Sequence, residues 1–442
     1  MQKYLKNMGW LTGEKLLDIF LRLVAFLLVA KALGAEGYGM YAYAFSVASI
    51  FAIAGHMGVE GLITREIVKF PEDRPTIVGT TLALKTLGYV FGVVLLVAYA
   101  FIVPSHSEVE RTLLILAACT IIVQPIITIN SAWFRAMVAA RNYVIPNTVG
   151  GIFGAILKIT VVSLGFSAVA VGMSQTIAVA LTAVLAYIVY SWRGGPKLQE
   201  CKFDTAYARR LLSEGVWVMI GSVMAVIYLK IDIAMIRIFN GSELAGVYSV
   251  SATLSEYAYF LPAAVVTSFF PRLVELFSQD TTQFNNRLQR LLDAIVSLSW
   301  LLVVGVAVTG TIIIDELLGA DYQQAISVLW IHILALPFIA TRNVLSRWII
   351  ITKLTKFSAL TQGAGAAINV LLNVILIPNF GAHGAAIATV LSYAVASYGV
   401  LYFNRSTREI FRMMTKSQLQ PWRGFGELKS TFLEMRRQLR NG

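Results

Sequence analysis

Stretches of about twenty apolar residues recur from one end of this chain to the other, broken only by short polar connections. A bilayer core of about 30 Å is crossed by roughly 20 helical residues. Within it every backbone N–H and C=O must be satisfied inside its own segment, which favours helices. With 57% of its 442 residues hydrophobic and only 14% charged, the chain carries more apolar surface than a soluble core can use. The pattern predicts an all-α integral membrane protein of about twelve spans. Their starts fall near Gly9, Tyr38, Ile77, Arg111, Tyr143 and Ala168, then Ala208, Glu243, Leu291, Gln323, Phe357 and Ala382.

The cations orient these spans. Placing the N-terminus in the cytoplasm puts 27 of the 36 Lys and Arg residues on that side, whereas only Lys31, Arg111 and Arg237 fall on the other. Connections rich in Lys and Arg stay cytoplasmic, so both termini are expected there. The net charge of +12 is accounted for by this bias and a basic tail, and no nucleic-acid partner is expected. The remaining six cations, Lys15, Arg22, Lys85, Lys158, Lys230 and Arg342, lie inside spans. Each costs on the order of 3 kcal/mol at bilayer depth unless it meets water or a partner. Six of them predict an electropositive interior.

Several classes are excluded by what the connections lack. The longest internal one runs from about Trp192 to Tyr207, leaving no room for a soluble catalytic domain. No P-loop, metal-ligand spacing or cofactor motif is present, so no enzyme, metal or cofactor is expected. Cys119 and Cys201 make no disulfide framework, and His56, His106, His332 and His383 lie far apart. Glu14, Lys15, Asp18 and Arg22 interrupt the first apolar stretch, so it reads as a retained span and not a cleaved leader. Pro125, Pro262 and Pro337 fall within spans and predict local breaks.

The central linker divides the chain into halves, and a repeat crosses it. Gly34-Ala-Glu36-Gly-Tyr-Gly39-Met-Tyr41 follows the first span, and Gly241-Ser-Glu243-Leu-Ala-Gly246-Val-Tyr248 follows the seventh. The offset is 207, with Gly, Glu, Gly and Tyr matched. A second pair, Phe166–Gly172 and Phe380–Ala386, is offset by 214. An even number of spans per half gives both the same orientation, related by a pseudo-two-fold along the membrane normal with a cavity between them. The expected organisation is a six-helix lobe over 1–192, a cytoplasmic linker over 193–207, a second six-helix lobe over 208–403 and a basic tail over 404–442. The tail carries Ile410, Phe411, Met414, Trp422, Phe425 and Phe432, as amphipathic segments lying on the inner leaflet would.

Asn7-Met-Gly-Trp10-Leu11, then Lys31-Ala-Leu33-Gly34-Ala-Glu36-Gly-Tyr-Gly39-Met-Tyr41, resembles the start of polysaccharide flippases of the Wzx type. Asp232 with Gly246-Val-Tyr248, and Ile377-Pro378-Asn-Phe-Gly381-Ala-His-Gly384-Ala, are similar to their second half. These flippases are the polysaccharide transporter branch of the multidrug, oligosaccharidyl-lipid and polysaccharide exporter superfamily. The resemblance implies two lobes that move a polyprenyl-diphosphate-linked oligosaccharide, such as an O-antigen repeat unit, between leaflets of the cell inner membrane by alternating access. It also implies a monomer with that glycan and membrane lipids as partners, working beside a glycan polymerase and a chain-length regulator. Peptidoglycan-precursor flippases of the superfamily carry two extra helices, for which this chain is too short.

That cargo fits the charges. Glu14, Lys15, Asp18 and Arg22 fall within an arc of about 100° on a helix. Two readings stay open: a self-contained set of ion pairs, or a cavity wall whose cations meet diphosphate oxygens. Arg22 and Lys230 occupy nearly matching places in the halves, while Lys230 and Asp232 lie about 200° apart on a helix. Lys230 is therefore expected to face inward and Asp232 a neighbouring helix. Lys85 and Arg342 lie where snorkelling competes, and Lys158 lies deeper. Glu14, Asp18 and Asp232 are candidates for ion coupling. A cation-coupled multidrug exporter of the same superfamily is the alternative, and it predicts an acidic interior instead.

Overall fold

The computed structural model describes residues 2–197 and 199–426, with side chains at Gly13 and from Leu17 onward except at Thr355 and Lys356. It is helical throughout, with no strand among the described residues. The first part comprises α1 (Gln2–Phe51), α2 (Ile53–His56), α3 (Glu60–Lys69), α4 (Arg74–Ile102), α5 (Glu108–Ile122), α6 (Gln124–Ala136), α7 (Ala140–Ser163) and α8 (Ala168–Trp192). After the linker come α9 (Thr205–Asn240), α10 (Ser242–Ala258), α11 (Phe260–Gln279), α12 (Thr281–Ile312), α13 (Gln323–His332), α14 (Leu336–Ile351), α15 (Thr355–Ser397) and α16 (Arg408–Leu419).

Among the described residues, nine helical stretches from Arg74 onward are long and apolar enough to cross a membrane. The last, Phe357–Phe403, is 47 residues long, enough for two crossings at about 1.5 Å per residue. It is broken at Gly381 (φ 54°). The 50-residue α1 breaks in the same way at Gly34 (φ 65°). Counting two crossings in each gives the expected twelve. Gly34 and Gly241 (φ 94°), matched by the repeat, both take left-handed backbone that side-chain-bearing residues avoid. The prolines act as breakers: Pro125 and Pro337 sit at the first turn of α6 and α14, and Pro262 follows a break at Tyr259. Ser107 opens α5 with a full capping box to Glu110.

The chain forms two compact units. The first holds Met1–Arg237 and Gly241–Gly246, and the second holds Ile238–Asn240 and Val247–Gly442. In the first, α1 packs on α5, α7 and α8. Isoleucines 63, 67 and 77 fill a core with Trp133, Phe134 and Tyr143. In the second, α12 packs on α11, α14 and α16, with Leu288, Leu292, Val344 and Met414 fully buried between them. The described part of the tail thus lies against its own unit: α16 buries Ile410 and Met414 on α12 and α14.

Buried charges and a candidate translocation site

The structure gives the predicted cations different surroundings. The side chains of Lys15 and Glu14 lie outside the described residues. Arg22 Nε donates to Asp18 Oδ1 at 2.5 Å, one helical turn away, while its side chain stays 69% exposed. Lys158 on α7 donates to Gln175 Oε1 of α8 at 2.5 Å and lies 5.9 Å from the Tyr41 ring of α1, still half-buried. Lys230 is half-buried on α9, and Asp232 two residues on is fully buried.

Lys85 and Arg342 are enclosed instead. Lys85 is 1% exposed, and its ammonium donates to the His56 carbonyl at the end of α2, at 3.1 Å. Arg342 on α14 donates from Nη1 to Thr361 Oγ1 at 2.8 Å and to the Ala396 carbonyl at 3.2 Å, and from Nη2 to Ser358 Oγ at 3.4 Å. Lys85 bonds to a carbonyl, and Arg342 to a carbonyl and two hydroxyls, of neighbouring helices, which is work inside the fold. Arg22, Lys158 and Lys230 keep accessible surface. Of the five described cations, Arg342 alone belongs to the second unit.

A charge cluster that span counting missed lies in the first unit. Arg237 was read as a connection residue, yet it sits in the last turn of α9 and is buried against Glu110 of α5. Arg237 Nε donates to Glu110 Oε1 at 2.6 Å and Nη2 to Oε2 at 2.5 Å. The same guanidinium donates to the Ser105 hydroxyl at 3.0 Å and the Ser105 carbonyl at 2.6 Å. Glu110 also accepts from the Ser107 amide at 2.9 Å and the Ser242 hydroxyl at 3.1 Å. A bidentate pair with further hydrogen bonds on both partners is the form in which a buried ion pair is tolerated. The Ser107-x-x-Glu110 spacing was a readable signal; the pairing with a residue 127 positions away was not.

Arg237 also stands over the Tyr43 ring, 5.3 Å from its centre. Tyr43 OH bonds to Tyr99 OH at 2.8 Å and to His106 Nε2 at 2.7 Å. His106 Nδ1 lies 3.2 Å from the Ala100 carbonyl. A carbonyl only accepts, so the Nδ1 proton is in place and neutral Nε2 accepts from Tyr43. Burial holds the His106 pKa below its ordinary value. The Ala100 carbonyl opposes this, Arg237 adds to it, Glu110 opposes and Arg111 adds.

Near its other end α9 makes further ion pairs. Arg210 donates to Glu66 of α3 at 2.9 Å, and Arg65 pairs with both Glu66 and Glu214. Here the arginines are half exposed or more, so water screens this cluster far more than the buried one. Arg210 and Arg237 are roughly 40 Å apart along a straight helix.

A family profile described as "Polysaccharide biosynthesis protein" matches residues 4–277. The chain is 21% identical to the "Putative O-antigen transporter" of Shigella flexneri over 405 residues, 87% of this chain and 93% of that one. It is 28% identical to the "Probable low-salt glycan biosynthesis flippase Agl15" of Haloferax volcanii over 197 residues, 42% of this chain and 40% of that one. Among solved structures, the lipid II flippase MurJ in an inward closed conformation superposes with a TM-score of 0.68 at 17% identity, covering 92% of this chain and 91% of that one. At that identity the likeness is one of fold.

Proposed function

Because the chain belongs to the polysaccharide biosynthesis protein family, we propose that it is a flippase, a transporter and not an enzyme. Its cargo is a polyprenyl-diphosphate-linked oligosaccharide, an O-antigen or other surface polysaccharide repeat unit. It carries this from the cytoplasmic to the periplasmic leaflet of the cell inner membrane. Support comes from the O-antigen transporter that aligns over most of both chains, and from cations inside spans that keep accessible surface. A diphosphate brings about two negative charges, which need fixed positive partners once water is left behind.

In this reading Arg22, Lys158 and Lys230 line a cationic cavity and hold the diphosphate oxygens. Lys85 and Arg342 fix the helices around it. Both termini face the cytoplasm, which follows from the bias of Lys and Arg between connections. Alternating access parts the repeats at one end and then the other. The protein works as a monomer beside the polymerase and chain-length regulator that receive the flipped glycan.

Purified protein in vesicles with a labelled lipid-diphosphate saccharide tests this directly. Movement of label to the outer face, lost on neutralising Arg22 and Lys230 together, is the expected outcome. Export of cationic drugs with no glycan movement would replace the reading by the multidrug one.

A further inference from the structure

The docked tail places a row of cations at a defined membrane level. Asn285 Nδ2 donates to Glu409 Oε1 at 2.6 Å, Gln289 Nε2 to the Met413 carbonyl at 3.3 Å and Ser417 Oγ to the buried Asp293 Oδ1 at 2.6 Å. Ser297 Oγ bonds to the Pro421 carbonyl. All four contacts share one offset of 124 residues. A constant offset means that α16 and α12 run side by side in the same direction, level for level. Tyr398 stacks on Phe411, and Gln418 reaches the Pro337 carbonyl, so the strap is held along its whole length.

That register transfers depth from α12 to the tail. On α12 the polar stretch ends at Arg290 and the apolar run starts at Leu291, which is where the helix enters hydrocarbon. Subtracting the offset puts Arg408 and Arg412 level with Phe284 and Leu288, below the apolar boundary, and Lys416 level with Leu292 at its edge. Leu419 lies level with Ile295, and Trp422 sits between Pro421, which meets Ser297, and Gly424, which lies against the Asp293 carbonyl; both side chains are exposed and inside the apolar zone. Around α16 the three cations occupy an arc of about 80° facing away from Ile410, Met414 and Ser417. No described residue pairs with Arg408, Arg412 or Lys416, all exposed. The one acid of the helix, Glu409, is turned to Asn285.

We infer that this stripe is a binding surface for the headgroups of anionic phospholipids, with Leu419 and Trp422 seated in the acyl region above them. Cations below an apolar and aromatic end, on an amphipathic helix crossing the interface, match an anionic leaflet in charge and in polarity gradient. The sequence alone set the tail on the leaflet by its apolar residues. The structure uses Ile410 and Met414 to dock the strap on α12 and leaves the opposite, cationic face for lipid. The inference does not depend on the cargo.

The full-length protein in nanodiscs of phosphatidylcholine containing brominated phosphatidylglycerol, or brominated phosphatidylcholine at the same mole fraction, tests it. The quenching of Trp422 is read as the difference between the protein and its Trp422→Phe variant. Quenching by the anionic lipid at least about twofold stronger is expected, because a headgroup site concentrates that lipid beside the strap. R408Q/R412Q/K416Q should bring the ratio to about one while quenching by the neutral lipid persists, showing the strap still docked. A ratio of one in the unaltered protein, or an unchanged ratio in the triple variant, overturns the inference. So does loss of the preference on adding inorganic diphosphate at matched ionic strength, which would make the stripe a cargo site. If the triple variant undocks, the unaltered protein in about 0.5 M salt gives the same reading, since screening weakens exposed charge contacts.

Discussion

Gly39 and Gly246, equivalent positions of the internal repeat, lie backbone against backbone. A methyl on Gly39 would stand 2.8 Å from the Gly246 amide nitrogen, and one on Gly246 would stand 3.1 Å from that of Gly39. The first would also strike the Ser242 carbonyl and the second the Ala35 carbonyl. Ala35 and Ser242 are themselves separated by the repeat offset of 207. The contact is reciprocal: each glycine of the repeat meets the backbone of its counterpart and of the residue four before that counterpart.

Because backbone and not a movable side chain fills the space, neither glycine has room for a larger residue. Gly39→Val and Gly246→Val should each lower stability by about 1–3 kcal/mol through overpacking, read as a fall in thermal midpoint in detergent. If this crossing closes one end of the transport path, transport should fall further than stability accounts for. Retention of full transport and an unchanged midpoint in both variants would show the contact to be dispensable.

Glu110 and Arg237 are buried and bonded to each other through two hydrogen bonds, so removing one strands the other. Glu110→Gln should cost about 3–5 kcal/mol, and the double change Glu110→Gln with Arg237→Met should recover much of it, since replacing both partners is far milder than orphaning one. A double-mutant cycle on thermal midpoints gives the coupling. Additive single effects would mean that the pair is not coupled. Cleavage of the exposed Arg65–Glu214 pair by Glu214→Gln should move the midpoint little, within about 1 kcal/mol.

The sequence made the fold legible because hydropathy acts over a whole span, and about twenty apolar residues outvote any single exception. The repeat was legible through Gly34 and Gly241, whose left-handed backbone restricts residue choice locally. The charge partners were less so. Arg342 and Lys158 both read as lone cations within spans, yet one is enclosed by Thr361, Ser358 and a carbonyl and the other meets one glutamine. That difference is set by residues from 16 to 54 positions away. Arg237 was misread for the related reason that a span end seen in sequence does not reveal what another helix brings to it.

His106 makes part of this cluster sensitive to pH. Its folded pKa is depressed, chiefly by burial, so the unfolded chain takes up the proton first as pH falls. The stabilising share of neutral His106 is complete above the unfolded value near 6.5. It is lost as pH drops through the folded pKa. The thermal midpoint should therefore fall between about pH 7 and pH 5 more steeply in the unaltered protein than in His106→Gln. Parallel curves would assign the acid sensitivity to other groups. Glu110, Arg237, Arg111, Tyr43 and Tyr99 surround the ring, and none is altered in that comparison.

The contrast among the interior cations yields opposite expectations for similar substitutions. Arg342→Ala strands two hydroxyls and a carbonyl inside the second unit and should lower the thermal midpoint, with transport failing as a consequence. Arg22→Ala and Lys158→Ala remove accessible charges and should leave the midpoint within about 0.5 kcal/mol of stability, as surface changes do, while transport of the lipid-diphosphate saccharide falls at least about tenfold. Arg22→Lys separates charge from the planar fork. Equal transport by the Arg22 and Lys158 alanine variants and the unaltered protein would remove them from the site.

The charge of the proposed cargo bears on what drives the cycle. A lipid diphosphate carries about two negative charges, and an inside-negative potential favours their outward passage by roughly 2.3 kcal/mol per charge per 100 mV if the whole field is crossed. Cations that stay fixed while the cargo passes leave that gain intact. Cations that swing with the cargo cancel it and move the voltage dependence to the return of the empty carrier. In either case one step of the cycle transfers net charge, so transport should depend on potential. Initial rates in vesicles with the potential clamped to zero by valinomycin and balanced potassium, at equal pH on both sides, should fall several-fold below those at an inside-negative potential. An unchanged rate would mean that no rate-determining step moves charge, and would leave an ion gradient acting through Asp18 or Asp232 as the driving force to examine.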